Sequence, residues 1–133
     1  MDIFLLECLK HINPFLREDD VAEVTMLNEY DVLFVFKNGD KIVYDSFERT
    51  FTSMRYENNN LTDEHYKKEF AVILRKRMNR KGITQDMLAD MVGTTQPMIS
   101  RYIQGDAMPS FTMIIKLAKA LDCSTDDFYY KHF

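Results

Sequence analysis

Residues Thr84–Gly105 read TQDMLADMVGTTQPMISRYIQG, and the order of caps, apolar positions and glycines in this stretch decides the fold. Thr84 is a natural N-cap, because its side-chain oxygen can accept an otherwise unpaired N–H of a first helical turn. Met87, Leu88, Met91 and Val92 are then expected to point inward. Gly93 stops this helix after three turns at most and permits a tight change of direction. Thr94-Thr95 opens a second short helix, in whose first turn Pro97 is tolerated. Ile99 and either Tyr102 or Ile103 face the core, and Gly105 ends the helix. Ala89 is small where the two helices must cross closely, and Ile99 plugs the angle between them. The second helix therefore projects its polar N-terminal residues outward.

Helical signals continue on both sides of this pair. Upstream, Thr62 is an N-cap candidate with Asp63 and Glu64 in the first turn, where acidic groups suit the helix dipole. Phe70, Ile73, Leu74 and Met78 repeat at helical spacing. Arg75, Lys76, Arg77, Arg80 and Lys81 load the end, where cations suit the dipole, with Arg75, Arg77, Arg80 and Lys81 expected on a solvated face, and Gly82 is the stop. Downstream, Pro109-Ser110 starts a fourth helix with Met113, Ile114, Leu117, Ala118 and Leu121 on its apolar stripe. Ser124 with Asp127 forms a variant capping box for a fifth. An aromatic tail follows, Phe128-Tyr129-Tyr130 and Phe133. The nine methionines mostly fall at core spacings.

The first part of the chain has a different rhythm. Residues 2–12 (DIFLLECLKHI) carry a broad apolar helical stripe that ends at Asn13-Pro14. Residues 21–27 (VAEVTML) and 32–36 (VLFVF) are β candidates. Asn38-Gly39 before KIVY is a strong hairpin signal, read as a type I′ turn. Residues 50–56 (TFTSMRY) alternate like a further strand, although Phe47, Phe51 and Met54 also suit a helix. Glu57-Asn58-Asn59-Asn60 is a polar break. The expected organisation is α+β. Residues 1–60 form a small segment of one helix plus a three- or four-stranded antiparallel meander, for dimerisation or partner binding. Residues 61–133 form a five-helix domain.

Charge follows the same division. The 133 residues carry a net −4. Residues 1–60 hold 6 Lys+Arg against 12 Asp+Glu, a net −6, and residues 61–133 hold 11 against 9, a net +2. Attraction to phosphates depends on a local basic face and not on the total. No apolar run reaches the roughly 18 residues that span a bilayer. Asp2 and Glu7 interrupt the N-terminal apolar stretch, which lacks a basic leader, so no signal peptide and a cytoplasmic location are expected. Cys8 and Cys123 make no ligand-spaced pair and no disulfide framework.

Two short helices joined by a glycine-containing turn are the helix-turn-helix unit. Here the sequence resembles the phage-repressor helix-turn-helix family (Cro-like and lambda-repressor-like, XRE type) over about residues 66–130. The matching landmarks are Gly82-Ile83-Thr84-Gln85, Leu88-Ala89, Val92-Gly93, Ile99-Ser100-Arg101, Gly105, Pro109-Ser110 and Lys116-Leu117-Ala118-Lys119-Ala120-Leu121. The resemblance implies a five-helix domain whose third helix, about residues 96–104, enters the major groove of double-stranded DNA. It places Gln96 at the principal base-reading position, where glutamine can pair adenine bidentately. Thr95, Met98, Ser100 and Arg101 are the further base-reading candidates. Gln85, Thr84, Thr94, Gln104 and Arg80 are the phosphate-contact candidates. Pro97 departs from the polar residue common at its place, so Met98 would supply apolar contact there. Thr84 and Thr95 also serve as plain caps, and Gln85 and Gln96 also suit solvated first-turn positions.

Catalysis, a metal and a cofactor find little support. His11, His65 and His132 are scattered, and Cys8 with His11 lacks further ligands. There is no nucleophile elbow and no Gly-rich phosphate loop. Glu18, Asp19 and Asp20 suit a solvated loop. The expected function is a sequence-specific transcriptional regulator of repressor, self-regulating, phage or mobile-element type, acting as a homodimer. The competing reading is an inhibitor module that docks a protein partner through the acidic residues 1–60.

Overall fold

The computed structural model describes residues 1–53 and 62–129. The chain divides into two compact units, Met1–Asn58 and Asn59–Phe133. Three sequence features lie outside the described residues: positions 54–56 of the fourth strand, the polar break at 57–60, and the tail beyond Tyr129.

In the first unit, α1 (Ile3–Ile12) starts at Asp2, whose carboxylate accepts the Leu5 N–H at 2.8 Å. It ends at Asn13, one residue before Pro14. Four antiparallel strands follow in the order β1 (Val21–Met26), β2 (Asp31–Phe36), β3 (Lys41–Asp45) and β4 (Thr50–Ser53). Register sets Val32 opposite Tyr44 and Phe34 opposite Ile42, so these side chains share one face. That face packs on Cys8 and Leu9 of α1, joined by Leu5, Ile12 and Leu16. A bulge near Ala22 shifts the β1–β2 register and breaks the strict alternation on that edge.

The Asn38-Gly39 hairpin is present, but it is not a type I′ turn. A type I′ turn needs positive φ at both central residues. Gly39 has φ +93, whereas Asn38 is absent from the positive-φ residues, which apart from glycines are Arg49 and Asp122. Phe36 N–H donates to the Asp40 carbonyl at 2.8 Å, and Gly39 N–H donates to the Phe36 carbonyl at 2.9 Å. The loop is thus three residues long, a tight turn closed by a left-handed glycine. The Asn38 side chain accepts the Asp40 N–H at 2.9 Å. This local bond favours the longer loop.

The second unit is helical. It contains α2 (Asp63–Lys81), α3 (Gln85–Val92), α4 (Gln96–Ile103) and α5 (Phe111–Ala120). Thr62, Thr84, Thr95 and Ser110 cap them in turn, each accepting the N–H three residues on. The fifth helix is a single 3₁₀ turn, Thr125–Phe128. Four residues rich in Thr and Asp cannot propagate an α-helix. Asp127 accepts the Ser124 N–H at 2.9 Å, which completes one arm of the foreseen capping box.

The helices close around Phe70, Leu74, Leu88, Ile99, Leu117 and Leu121, with Phe128 sealing the end. Two expectations about this core fail. Met87 and Met91 are 48% and 53% exposed. The buried residues of α3 are Leu88, Ala89 and Val92. At about 100° per residue, that stripe leaves both methionines on the far side of the helix. More broadly, Met1, Met26 and Met108 are also exposed, so the methionines do not follow core spacing. Of the α2 cations expected on a solvated face, Arg77 and Arg80 are instead half-buried. Lys76 is only 5% exposed, and Arg77 lies 3.8 Å from Asp127.

Between α3 and α4 the chain reverses at Gly93, with φ +74. Thr94 N–H bonds back to the Ala89 carbonyl at 2.9 Å, closing the end of α3. No atom lies within 4 Å of where a β-carbon would sit, so space is not the constraint there. The left-handed backbone is, and it costs a non-glycine residue roughly 1 kcal/mol or somewhat more. Gly93→Ala is expected to lower unfolding stability by about that amount, read as a shifted urea midpoint with an unchanged slope.

Candidate nucleic-acid interface

α3 and α4 begin in the same way. Each is preceded by a threonine in extended backbone and opens on a glutamine. The Thr84 hydroxyl accepts Met87 N–H at 3.2 Å, and the Thr95 hydroxyl accepts Met98 N–H at 3.4 Å. The crossing of the two helices brings these openings together. The Gln96 side-chain amide donates to the Gln85 side-chain oxygen at 2.6 Å, although eleven residues separate them. The bond uses one donor of Gln96. An amide group carries a second N–H and a carbonyl oxygen, which form an adjacent donor and acceptor.

The N-termini of both helices therefore meet around one glutamine pair. Each N-terminus carries partial positive charge from its unpaired N–H groups. Neither first turn holds a lysine or arginine, and that of α3 also carries the exposed Asp86.

The remaining candidates take varied positions. Thr95 is exposed at the cap of α4, and Arg101 is exposed in its last turn. Ser100 is half-buried, and its hydroxyl accepts from the Gln104 amide at 3.1 Å. Met98 is half-buried and packs against the helical core, so only part of it is available to a ligand. Thr94 is half-buried, with its backbone N–H engaged at the end of α3. Arg80 is half-buried in the last turn of α2. Lys81 lies 3.8 Å from Asp122, and with Arg77 near Asp127 two of the α2 cations are turned toward acidic residues of the same unit.

The contact between Gln85 and Gln96 escaped the sequence reading, which gave the two residues separate tasks. Its signal was the repeated Thr-Gln step, Thr84-Gln85 and Thr95-Gln96. Both steps fix a glutamine at the first position of a helix, and the glycine turn folds one onto the other.

Among the described residues, the titratable groups elsewhere carry no comparable constellation. Burial raises the thiol pKa of Cys8 and of Cys123, which disfavours the reactive thiolate at neutral pH. Among the described residues no group of His, Cys, Asp and Glu is arranged to hold a metal ion. No helix among them is long and apolar enough to cross a membrane.

The order of helices, the glycine turn and the buried Ala89–Ile99 crossing define a helix-turn-helix domain. Residues 74–128 match the family model HTH_3, described as Helix-turn-helix. No curated protein matches the chain. Solved structures similar to it include the following three. One is an HTH_3 family transcriptional regulator from Vibrio cholerae, 25% identical over 50% of this chain and 38% of its own length, with a TM-score of 0.48. The second is a restriction-modification controller protein from Aeromonas hydrophila, 28% identical over 47% of this chain and 96% of its own, with a TM-score of 0.46. The third is the P22 c2 repressor in complex with a synthetic operator, 30% identical over 45% of this chain and 91% of its own, with a TM-score of 0.44.

Proposed function

We propose that the protein is a sequence-specific DNA-binding transcriptional regulator of repressor type. The observation that carries this reading is the Gln96–Gln85 bond at the joined N-termini of α3 and α4. In the proposed complex α4 lies in the major groove with Gln96 toward a base edge. Its donor and acceptor match the N7 and N6 groups of adenine. Gln85 contacts a phosphate and, through the shared bond, fixes the Gln96 rotamer before DNA arrives. Thr95, Ser100 and Arg101 complete the reading surface, with Met98 giving apolar contact. Thr84, Thr94, Gln104 and Arg80 hold the backbone.

Such a domain reads only a few base pairs, so the working form is a homodimer on half-sites about 34 Å apart. Repression follows if the operator overlaps a promoter, including the protein's own. A phage or mobile-element origin and a cytoplasmic location fit this role. It requires no chemical step, and we assign no enzymatic activity.

The test is selection of binding sites from random DNA, followed by titration of the best site across a salt series. The reading expects a two-fold symmetric site and an affinity that falls linearly with the logarithm of salt. It also expects selectivity on the order of a thousandfold over random sequence. Enrichment of no sequence at any salt concentration would count against it.

A further inference from the structure

In the first unit, the apolar face of the sheet is wider than the helix that covers it. α1 packs over Val32, Phe34 and Tyr44 and stops at Ile12. Beyond that end lies a cavity of about 600 Å³. Ile12, Leu16, Phe36, Ile42 and Phe51 supply its apolar lining. Phe51 pairs with Tyr44 across the β3–β4 ladder, so its side chain falls on the helix-covered face of the sheet. Yet it is 48% exposed. An aromatic ring left half in water beside an apolar hollow is a contact surface without an internal partner among the described residues.

The polar groups at this cavity favour one sign of charge. Asp20 and Asp40 both line it, against one cation, Lys37. Each carboxylate is held locally: Asp20 accepts the Arg17 N–H at 2.8 Å, and Asp40 accepts from the Asn38 amide at 3.2 Å. The surrounding segment, residues 1–60, carries a net −6. Its field therefore concentrates cations and repels anions. The volume lies within the range of roughly 300–1,000 Å³ typical of small-ligand sites, which combine an apolar lining with a few placed polar groups.

We propose that this cavity binds a small apolar amine. The ring or branched alkyl body lies on Phe36, Ile42 and Phe51, and the protonated nitrogen lies between Asp20 and Asp40. The proposal concerns the first unit alone and does not depend on the DNA-binding reading.

The test titrates the full chain with 1-naphthylmethylamine and, separately, 1-naphthoate, two fluorescent probes with one ring system and opposite charge. Ligand anisotropy reports binding, and sedimentation velocity reports the state of the protein. Saturable binding of the amine, about tenfold or more tighter than the carboxylate, is expected. Asp20→Asn with Asp40→Asn should erase most of this preference, because the hydrogen-bond acceptors remain while the charge is removed. Phe51→Ser, at an exposed strand position, should weaken the amine by about tenfold with an unchanged circular dichroism spectrum. Equal binding of the two probes, no saturable binding, or binding that survives both sets of substitutions overturns the proposal. A change of oligomeric state in Phe51→Ser with amine binding intact also overturns it, since the strip would then belong to a second copy. The paired Asp→Asn variant keeps the test decisive if Phe51→Ser fails to fold.

Discussion

Replacing both Gln96 and Arg101 with alanine is expected to abolish selective DNA binding while leaving the helical domain folded. Neither side chain belongs to the buried core, so truncation removes reading groups without opening a cavity. Gln96 is the more informative of the two. Loss of one bidentate base contact costs about 1–3 kcal/mol, or roughly 5- to 150-fold in affinity at each half-site. Loss of Arg101 adds either a guanine contact or a phosphate contact, and the salt dependence separates these. A phosphate contact lowers the slope of log affinity against log salt by about one unit per subunit. A base contact instead relaxes preference at one position and leaves the slope alone. Binding to the selected site should thus fall to the level of random DNA in the double variant. Gln85→Ala should cost less than Gln96→Ala. It leaves the reading residue in place but frees its rotamer, so affinity should fall with the base preference retained.

The largest effect on stability is expected from Ile99→Ala. Ile99 is fully buried in the cluster that joins α3, α4 and α5. Its removal deletes buried methyl and methylene groups and leaves a hole that two short, tightly turned helices cannot easily close. Such truncations cost about 2–5 kcal/mol, a large share of the roughly 5–15 kcal/mol by which small domains are stable. The helical unit of the variant should unfold at a clearly lower urea concentration, and DNA binding should weaken through the lost population of folded domain. Met91→Ala provides the contrast. Although an apolar reading of α3 would place Met91 inside, it is more than half exposed. Its truncation should change stability by no more than about 0.5 kcal/mol. A large loss on Met91→Ala would mean that α3 is rotated relative to the arrangement described here.

The contrast between Ile99 and Met91 shows what sequence could and could not convey. Helix starts were legible because Thr62, Thr84, Thr95 and Ser110 each perform a local task that needs no tertiary context. Gly82 and Gly93 marked helix ends for the same reason, since left-handed backbone is a property of the residue itself. Ile99 was legible because its place follows from the geometry of two helices crossing at a tight turn. The rotation of α3 was not. Over eight residues, Met87, Leu88, Met91 and Val92 look like a stripe as convincing as Leu88, Ala89 and Val92. The small size of Ala89 already pointed to the crossing, but only the packed structure shows that burying its face turns Met87 and Met91 outward. Lys76 is a related case. It sits in a run of cations, and only packing shows that this one is buried.

The sheet was readable from alternation and from Asn38-Gly39, but the turn was not. Asn-Gly suits a two-residue loop by type, whereas the Asn38–Asp40 side-chain bond stabilises a three-residue one. At the proposed interface, the glutamines and threonines were named by the family register. Their mutual bond was not, because it joins residues eleven apart through a tertiary crossing. The family register was silent on the first unit, where the cavity beside Phe51 emerges only from strand register and from the length of α1.

The central claim, that the joined N-termini of α3 and α4 form the DNA-docking surface, is tested most directly by amide chemical-shift mapping. The isotope-labelled protein would be titrated with its selected DNA duplex. The account predicts that the largest perturbations fall on residues 84–87 and 95–101, with the side-chain amides of Gln85 and Gln96 among the most shifted. Perturbations confined to residues 1–53, with residues 84–101 unchanged, would contradict it.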